Sequence, residues 1–234
     1  MMERAKAEGV IKFYLPAIDS ETHDDMIKVE ADYPGKCFAM MGLHPCSVED
    51  DYKKELAIVG EWLSKRKFSA VGEIGLDYYW SDKHLKEQAE AFHQQINWAL
   101  QYELPIVIHC RNAMDDTIQI VREHQFGKLR GIFHCFTGSA EQAQQIVDLG
   151  FYLGIGGVLT YKNSGLAEAL AGIDLEHMVL ETDSPYLTPV PFRGKRNESS
   201  YLKYIIDKLA EVKNTDRETV ARITSKNAEK IFGG

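Results

Sequence analysis

Short apolar runs alternate with longer amphipathic stretches from one end of the chain to the other, and no feature restricts the fold more. The runs are residues 10–18, 38–43, 69–74, 105–109, 131–133, 151–155 and 178–180. Each is rich in β-branched or aromatic residues and apolar on both faces, the pattern of a parallel strand covered on both sides. The stretches between them have helical periodicity. In 85–102, apolar residues fall at Leu85, Ala89, Phe92, Ile96 and Ala99, one face of a helix. Ser139-x-x-Gln142 is a capping-box start and Gly150 a stop. Thr215-x-x-Glu218 predicts the opening of a last helix that ends near Phe232.

A repeated β-α order predicts a mainly parallel sheet. Seven strands are recognisable, whereas a TIM-type (β/α) barrel has eight in about 250 residues. Residues 1–8 read as the end of a helix closed by Gly9, and a strand follows at once. The expectation is therefore an α/β, TIM-type barrel over residues 1–234 as one domain, with the first strand missing. An open doubly wound sheet of seven strands is the alternative. A missing strand would leave edges beside 10–18 and 178–180, and unpaired edges invite aggregation.

Composition excludes several classes. The chain has 234 residues, 44% hydrophobic and 26% charged, the balance of an ordinary globular protein. No apolar run approaches the roughly 18 residues of a membrane span, so no membrane association is expected. The N-terminal segment MMERAKAEGV lacks the apolar core of a secretory signal. Cys37, Cys46, Cys110 and Cys135 form no CxxC pair, so reduced thiols in the cytoplasm are expected. With 27 Lys+Arg against 35 Asp+Glu, the net charge is −8. That argues against a protein that merely coats nucleic acid, and leaves open an enzyme that holds phosphates through metal ions.

Barrel enzymes carry their chemistry where strands finish. Here those ends bear His44, Glu73, His109, His134 and Asp183. One such histidine is ordinarily a core residue, but five ligand-type groups at five ends suit a divalent metal. A metal would activate water and polarise an ester or phosphoryl oxygen, with a nearby carboxylate accepting the proton. Arg193, Lys195 and Arg196 concentrate positive charge in the loop after Asp183, able to guide an anion. Arg111 is a second phosphate candidate.

At these residues the chain resembles the TatD family of metal-dependent deoxyribonucleases. The matching segments are MGLHP (41–45), GEIGLDYYW (72–80), IHCRNA (108–113), FHCFTGS (133–139), ETDSPYL (181–187) and RGKRNE (193–198). The resemblance implies an amidohydrolase-type barrel that cuts DNA phosphodiester bonds with divalent metals (Mg, Mn or Zn), often as a 3′→5′ exonuclease on single strands. It makes Glu73 a bridging carboxylate and gives His109 and His134 to the second metal. Asp183 would hold the first metal and orient or deprotonate water. His44, Arg111, Arg193 and Arg196 would contact substrate, and Asn197 and Glu198 would fix their loop. DNA is then the partner, and no obligate protein partner is evident.

Most members also carry an N-terminal His-x-His pair for the first metal, and this sequence has none. His23 reads as a helix-surface residue. One metal is therefore expected rather than two. A related hydrolase of another ester or amide, or a catalytically weakened short form, remain open. Cys110 and Cys135 follow two candidate ligands and should point to the opposite strand face, toward helices. Tyr78, Tyr79 and Trp80 could stack on bases or pack over a loop. Gly154, Gly156 and Gly157 lack dinucleotide-fingerprint spacing.

Overall fold

Each of the seven apolar runs forms a strand in the computed structural model, which describes residues 1–80 and 82–233. The chain divides into two units, Lys12–Ile132, and Met1–Ile11 with Phe133–Gly234. Helix α1 (Met2–Ala7) belongs to the second. The first unit holds β1 (Phe13–Pro16), α2 (Ser20–Asp32), β2 (Cys37–Met40), α3 (Tyr52–Lys65), β3 (Val71–Asp77), α4 (Leu85–Gln101), β4 (Ile106–Arg111) and α5 (Met114–His124). Strand β5 (Gly131–Phe133) spans the boundary in sequence. The second unit continues with α6 (Ala140–Asp148), β6 (Tyr152–Ile155), α7 (Leu166–Leu170), β7 (Met178–Leu180), α8 (Leu202–Val212) and α9 (Arg217–Phe232). Among the described residues, no helix is long and apolar enough to cross a membrane.

In the first unit β1 pairs with β2 and β3 with β4, both in parallel. Ile74, Leu76, Ile106 and Ile108 of the strands are fully buried, as are Phe92, Ile96 and Ala99 of α4 and Val121 of α5. Each larger side chain of this set contributes about 1.5–3 kcal/mol on burial. The buried face of α4 differs from its apolar pattern. Gln88 and Gln95 are buried, while Leu85 and Ala89 are only half covered. Two hydrogen bonds join each glutamine to one backbone residue. Gln95 Oε1 accepts from Leu43 N–H at 2.7 Å and its Nε2 donates to Leu43 O at 3.1 Å. Gln88 does the same for Asp77, at 2.9 and 3.2 Å. These groups lie beyond or at the end of the strand ladders, and a buried backbone group without a partner costs about as much as a lost hydrogen bond.

His23 is not on the helix surface. It is 2% exposed, and neither ring nitrogen has a hydrogen-bond partner. Burial pushes its pKa down, with Glu55 and Asp19 opposing, so the ring is held neutral. The expected surface position fails because α2 packs against β2 and α3.

In the second unit β6 and β7 pair in parallel, Leu153 opposite Met178. Phe133 and Phe151 meet edge to face at 5.7 Å, and Ile205, Leu209, Val220 and Ile231 of α8 and α9 complete the core. The Ser139–Gln142 capping box forms as expected. Helix α9 starts one residue later than its sequence signal, because the Asp216 carboxylate accepts the Thr219 N–H at 2.7 Å. An anionic acceptor at a helix start is favoured over Thr215 by the helix dipole. Helix α1 is tied to the segment after β7 by a fork of Arg4 on Glu198, with Nε–Oε1 at 2.9 Å and Nη2–Oε2 at 2.5 Å.

Gly75 in β3 has φ of 141°, and a Cβ there would overlap the carbonyl oxygen of His109. Gly75→Ala should therefore lower unfolding free energy by about 3 kcal/mol or more. Gly172→Ala, in open space, should leave it nearly unchanged. Urea denaturation of the two variants checks this.

Candidate functional site

The register of β3 on β4 slips between Gly72 and Ile74, so Glu73 is a bulge residue. A bulge re-aims one side chain without ending the strand. Glu73 was expected at a strand end, but β3 continues to Asp77. The bulge, rather than the strand terminus, frees its carboxylate from the ladder. On β4, His109 Nδ1 lies 2.9 Å from Glu73 Oε1. His44 Nε2 lies 3.1 Å from the same Nδ1 and 3.5 Å from Glu73 Oε1. His44 also lies beyond its strand, where its Nδ1 accepts the Cys46 N–H at 3.1 Å. The far nitrogen of His109, Nε2, lies 2.8 Å from Asp77 Oδ2. Asp77 is 1% exposed, and its Oδ1 accepts the N–H groups of Tyr79 and Trp80.

These contacts set the charges. Burial opposes ionisation of Asp77, but the hydrogen bonds from His109, Tyr79 and Trp80 outweigh it and hold the carboxyl well below the usual range. Burial likewise disfavours a charged His109, and hydrogen bonds to Asp77 and Glu73 overcome it, raising the imidazole pKa. Cys46 is an exposed residue, but local desolvation of its thiol and the negative charge of Asp77 and Glu73 push its pKa up to about 12. The first unit is thus a place where positive charge is stabilised and a thiolate is not.

The second unit carries a parallel arrangement. His134, just past β5, has Nδ1 at 2.7 Å from Glu181 Oε2 and Nε2 at 3.4 Å from Asp183 Oδ1. Asp183 lies three residues beyond β7 and has φ of 52°, an uncommon conformation for a non-glycine residue. Glu181 Oε1 also accepts the Cys135 N–H at 3.0 Å. Cys135 is not on a strand, since β5 ends at Phe133 and Cys135 itself has φ of 46°. Its expected alternation therefore does not apply. Cys110 does face a helix, accepting from Thr117 Oγ1 of α5 at 3.3 Å.

Of the residues singled out from sequence, the structure brings Glu73, His109 and His44 together in the first unit and His134 with Asp183 in the second. Donor atoms near 3 Å apart match neighbouring ligands around an ion with bonds of about 2.1 Å. Imidazole and carboxylate donors are the usual set for Zn²⁺, Mn²⁺ and related ions. The residues present fit such an ion. Cys46 Sγ also falls within 4.8 Å of the His44 and His109 ligand atoms. Asp77 and Glu181 lie inside two of the quoted segments but carried no role from spacing alone.

The cations sit on aromatic rings. Arg111 lies 3.6 Å above Tyr79 and 5.2 Å from Trp80. Those rings are 52% and 69% exposed, whereas Tyr78 is half-buried and donates to Asp116 at 3.0 Å. Arg193 lies 3.7 Å above Tyr161. Arg193, Lys195 and Arg196 are all exposed. Asn197 is buried, and its Nδ2 donates to Thr182 O and Tyr186 O, each at 2.6 Å. Glu198 accepts from Arg4 and Ser200.

The profile of the TatD-related DNases matches residues 1–233 of this chain. A Bacillus subtilis protein described as an uncharacterized metal-dependent hydrolase, YabD, is 40% identical over 99% of this chain and 91% of its own length. The uncharacterized metal-dependent hydrolase TatD of Mycobacterium tuberculosis is 32% identical over 100% of this chain and 90% of its own. The crystal structure of the TatD homologue YjjV from Escherichia coli matches with a TM-score of 0.93 at 29% identity, covering 99% of this chain and 90% of that one. Its fold class, the TIM-type α/β barrel, is also this chain's. A mutant organophosphorus hydrolase of Deinococcus radiodurans, at 11% identity and a TM-score of 0.68, shares the fold alone.

Asn197→Ala should free the 182–198 loop, at a cost of about 1–3 kcal/mol for the orphaned carbonyls. Trypsin should then cut at Arg193, Lys195 or Arg196 several-fold faster than in wild type.

Proposed function

We propose that this chain, which belongs to the TatD-related DNase family and is a metal-dependent hydrolase, hydrolyses phosphodiester bonds of DNA, working from the 3′ end of single strands. The observation that carries the reading is the paired construction of carboxylate and imidazole, Glu73 with His109 in one unit and Asp183 with His134 in the other. Glu73, His109, His134 and Asp183 are the proposed ligands of Mg²⁺, Mn²⁺ or Zn²⁺. A bound divalent ion lowers the pKa of water and polarises a phosphoryl oxygen.

The chain's own groups do the rest. Asp183 orients the attacking water and accepts its proton at a carboxylate oxygen. His44, held by the Cys46 N–H at Nδ1, presents Nε2 toward the Glu73–His109 pair and the substrate. Arg111, Arg193 and Arg196 attract the phosphates. Exposed Tyr79 and Trp80 offer faces on which unpaired bases stack, each contributing about 1–3 kcal/mol. That contact favours single strands, whose bases are free to leave a neighbour.

The test is nucleotide release from 3′-labelled single-stranded DNA with Mg²⁺ or Mn²⁺. Release should stop with EDTA and fall by about 100-fold or more in Glu73→Gln, beyond the loss expected for a residue that only supports a ligand. Trp80→Ala should raise KM several-fold with little change in kcat. Metal-dependent release that survives in Glu73→Gln would remove Glu73 from the ligand set. Hydrolysis of small phosphoesters but not of DNA would replace the substrate class.

A further inference from the structure

His109 and His134 share a construction that the ligand assignment does not use. Each ring presents one nitrogen to a proposed ligand carboxylate and the other to a second carboxylate. His109 turns Nδ1 to Glu73 and Nε2 to Asp77. His134 reverses the nitrogens, with Nε2 toward Asp183 and Nδ1 at 2.7 Å from Glu181. We propose that Asp77 and Glu181 are positioning residues, each holding the remote nitrogen of one histidine protonated so that the other keeps its lone pair for a metal ion. This rests on the proposed assignment of His109 and His134 as ligands.

A neutral imidazole carries one proton on one of two nitrogens, and the partner of the remote nitrogen decides which. A carboxylate there accepts an N–H, fixes the tautomer and the ring orientation, and makes the ligating nitrogen more basic. Both carboxylates are themselves held. Asp77 Oδ1 takes the N–H groups of Tyr79 and Trp80 at 2.9 and 3.2 Å, leaving Oδ2 for His109. Glu181 Oε1 takes the Cys135 N–H at 3.0 Å, leaving Oε2 for His134. The surroundings are cut to fit. A Cβ at Gly154 would overlap Glu181 Oε2, and one at Gly156 would come to 3.3 Å from Oε1. Gly154 of β6 and Gly156 just past it, which make no nucleotide fingerprint, leave the space this carboxylate occupies.

The isosteric amides separate orientation from packing. In Glu181→Gln, the amide oxygen still accepts the Cys135 N–H, while the NH₂ donates to His134 Nδ1. The ring proton is then forced to Nε2, the nitrogen wanted for the metal. Asp77→Asn does the same to His109, moving its proton to Nδ1. Each variant should weaken Mn²⁺ binding by about 10- to 100-fold, read as free Mn²⁺ by electron paramagnetic resonance. The urea midpoint of metal-free Glu181→Gln should stay at the wild-type value, which a purely structural role would not allow. Long-range ¹H–¹⁵N spectra at about pH 9.5, some three units above the ordinary imidazole pKa, should show the His134 proton on Nδ1 in wild type and on Nε2 in Glu181→Gln.

Wild-type Mn²⁺ affinity in both amide variants would overturn the proposal while leaving the ligand assignment intact. If only Asp77→Asn fails to fold, Glu181→Gln decides the matter by its affinity and its tautomer. A wild-type chain that binds no Mn²⁺ would overturn both the positioning role and the metal reading beneath it.

Discussion

One imidazole held between two carboxylates shapes the first unit. Glu73 is 5% exposed, Asp77 1%, and two buried acids this close to a ring cannot be tolerated without compensation. An unpaired buried charge costs several kcal/mol. Here His109 supplies the compensation from both nitrogens, and the raised basicity of the ring records it. The same arrangement suits a divalent ion, since a site that stabilises a proton on His109 Nδ1 also stabilises a cation in its place.

The rest of that unit serves this geometry. The bulge at Glu73 turns its carboxylate out of the ladder. Gly75 permits β3 to approach the backbone of His109 itself. Two turns apart on α4, Gln88 and Gln95 tie down the backbones of Asp77 and Leu43, the residues that aim the Asp77 carboxylate and lead into His44. The second unit solves its own version with other parts. Gly154 and Gly156 make room for Glu181, and Asn197 binds the loop that carries Asp183 at both its ends. In each unit neutral amides satisfy backbone groups where the ladder stops, so that the acids stay free for the imidazoles.

Much of this was legible in the sequence. All seven strands were marked by their two-faced apolar runs, because burial on both sides leaves no polar alternation. The five residues of ligand type were visible because they lie at or near the ends of those runs. What escaped was set by contacts distant in sequence. Gln88 and Gln95 lie outside the apolar pattern of α4, since nothing local shows that a backbone group waits opposite them. His23 read as a surface residue because polar neighbours surround it in sequence, though α2 buries it. Glu73 was placed at a strand end, since a bulge leaves no periodic trace. Asp77 and Glu181 stood among more conspicuous residues, and only their distances to the far nitrogens of His109 and His134 give them a role.

The central claim is that a divalent ion binds the ligand-facing nitrogens, His109 Nδ1 and His134 Nε2, while the carboxylates behind the rings stay in place. Anomalous diffraction from crystals grown with Mn²⁺ tests it most directly. The account predicts a manganese peak about 2.2 Å from His109 Nδ1, with Glu73 also coordinated and Nε2 still on Asp77. A peak on Nε2, or bound manganese that leaves both Glu73 and His109 untouched, would contradict it.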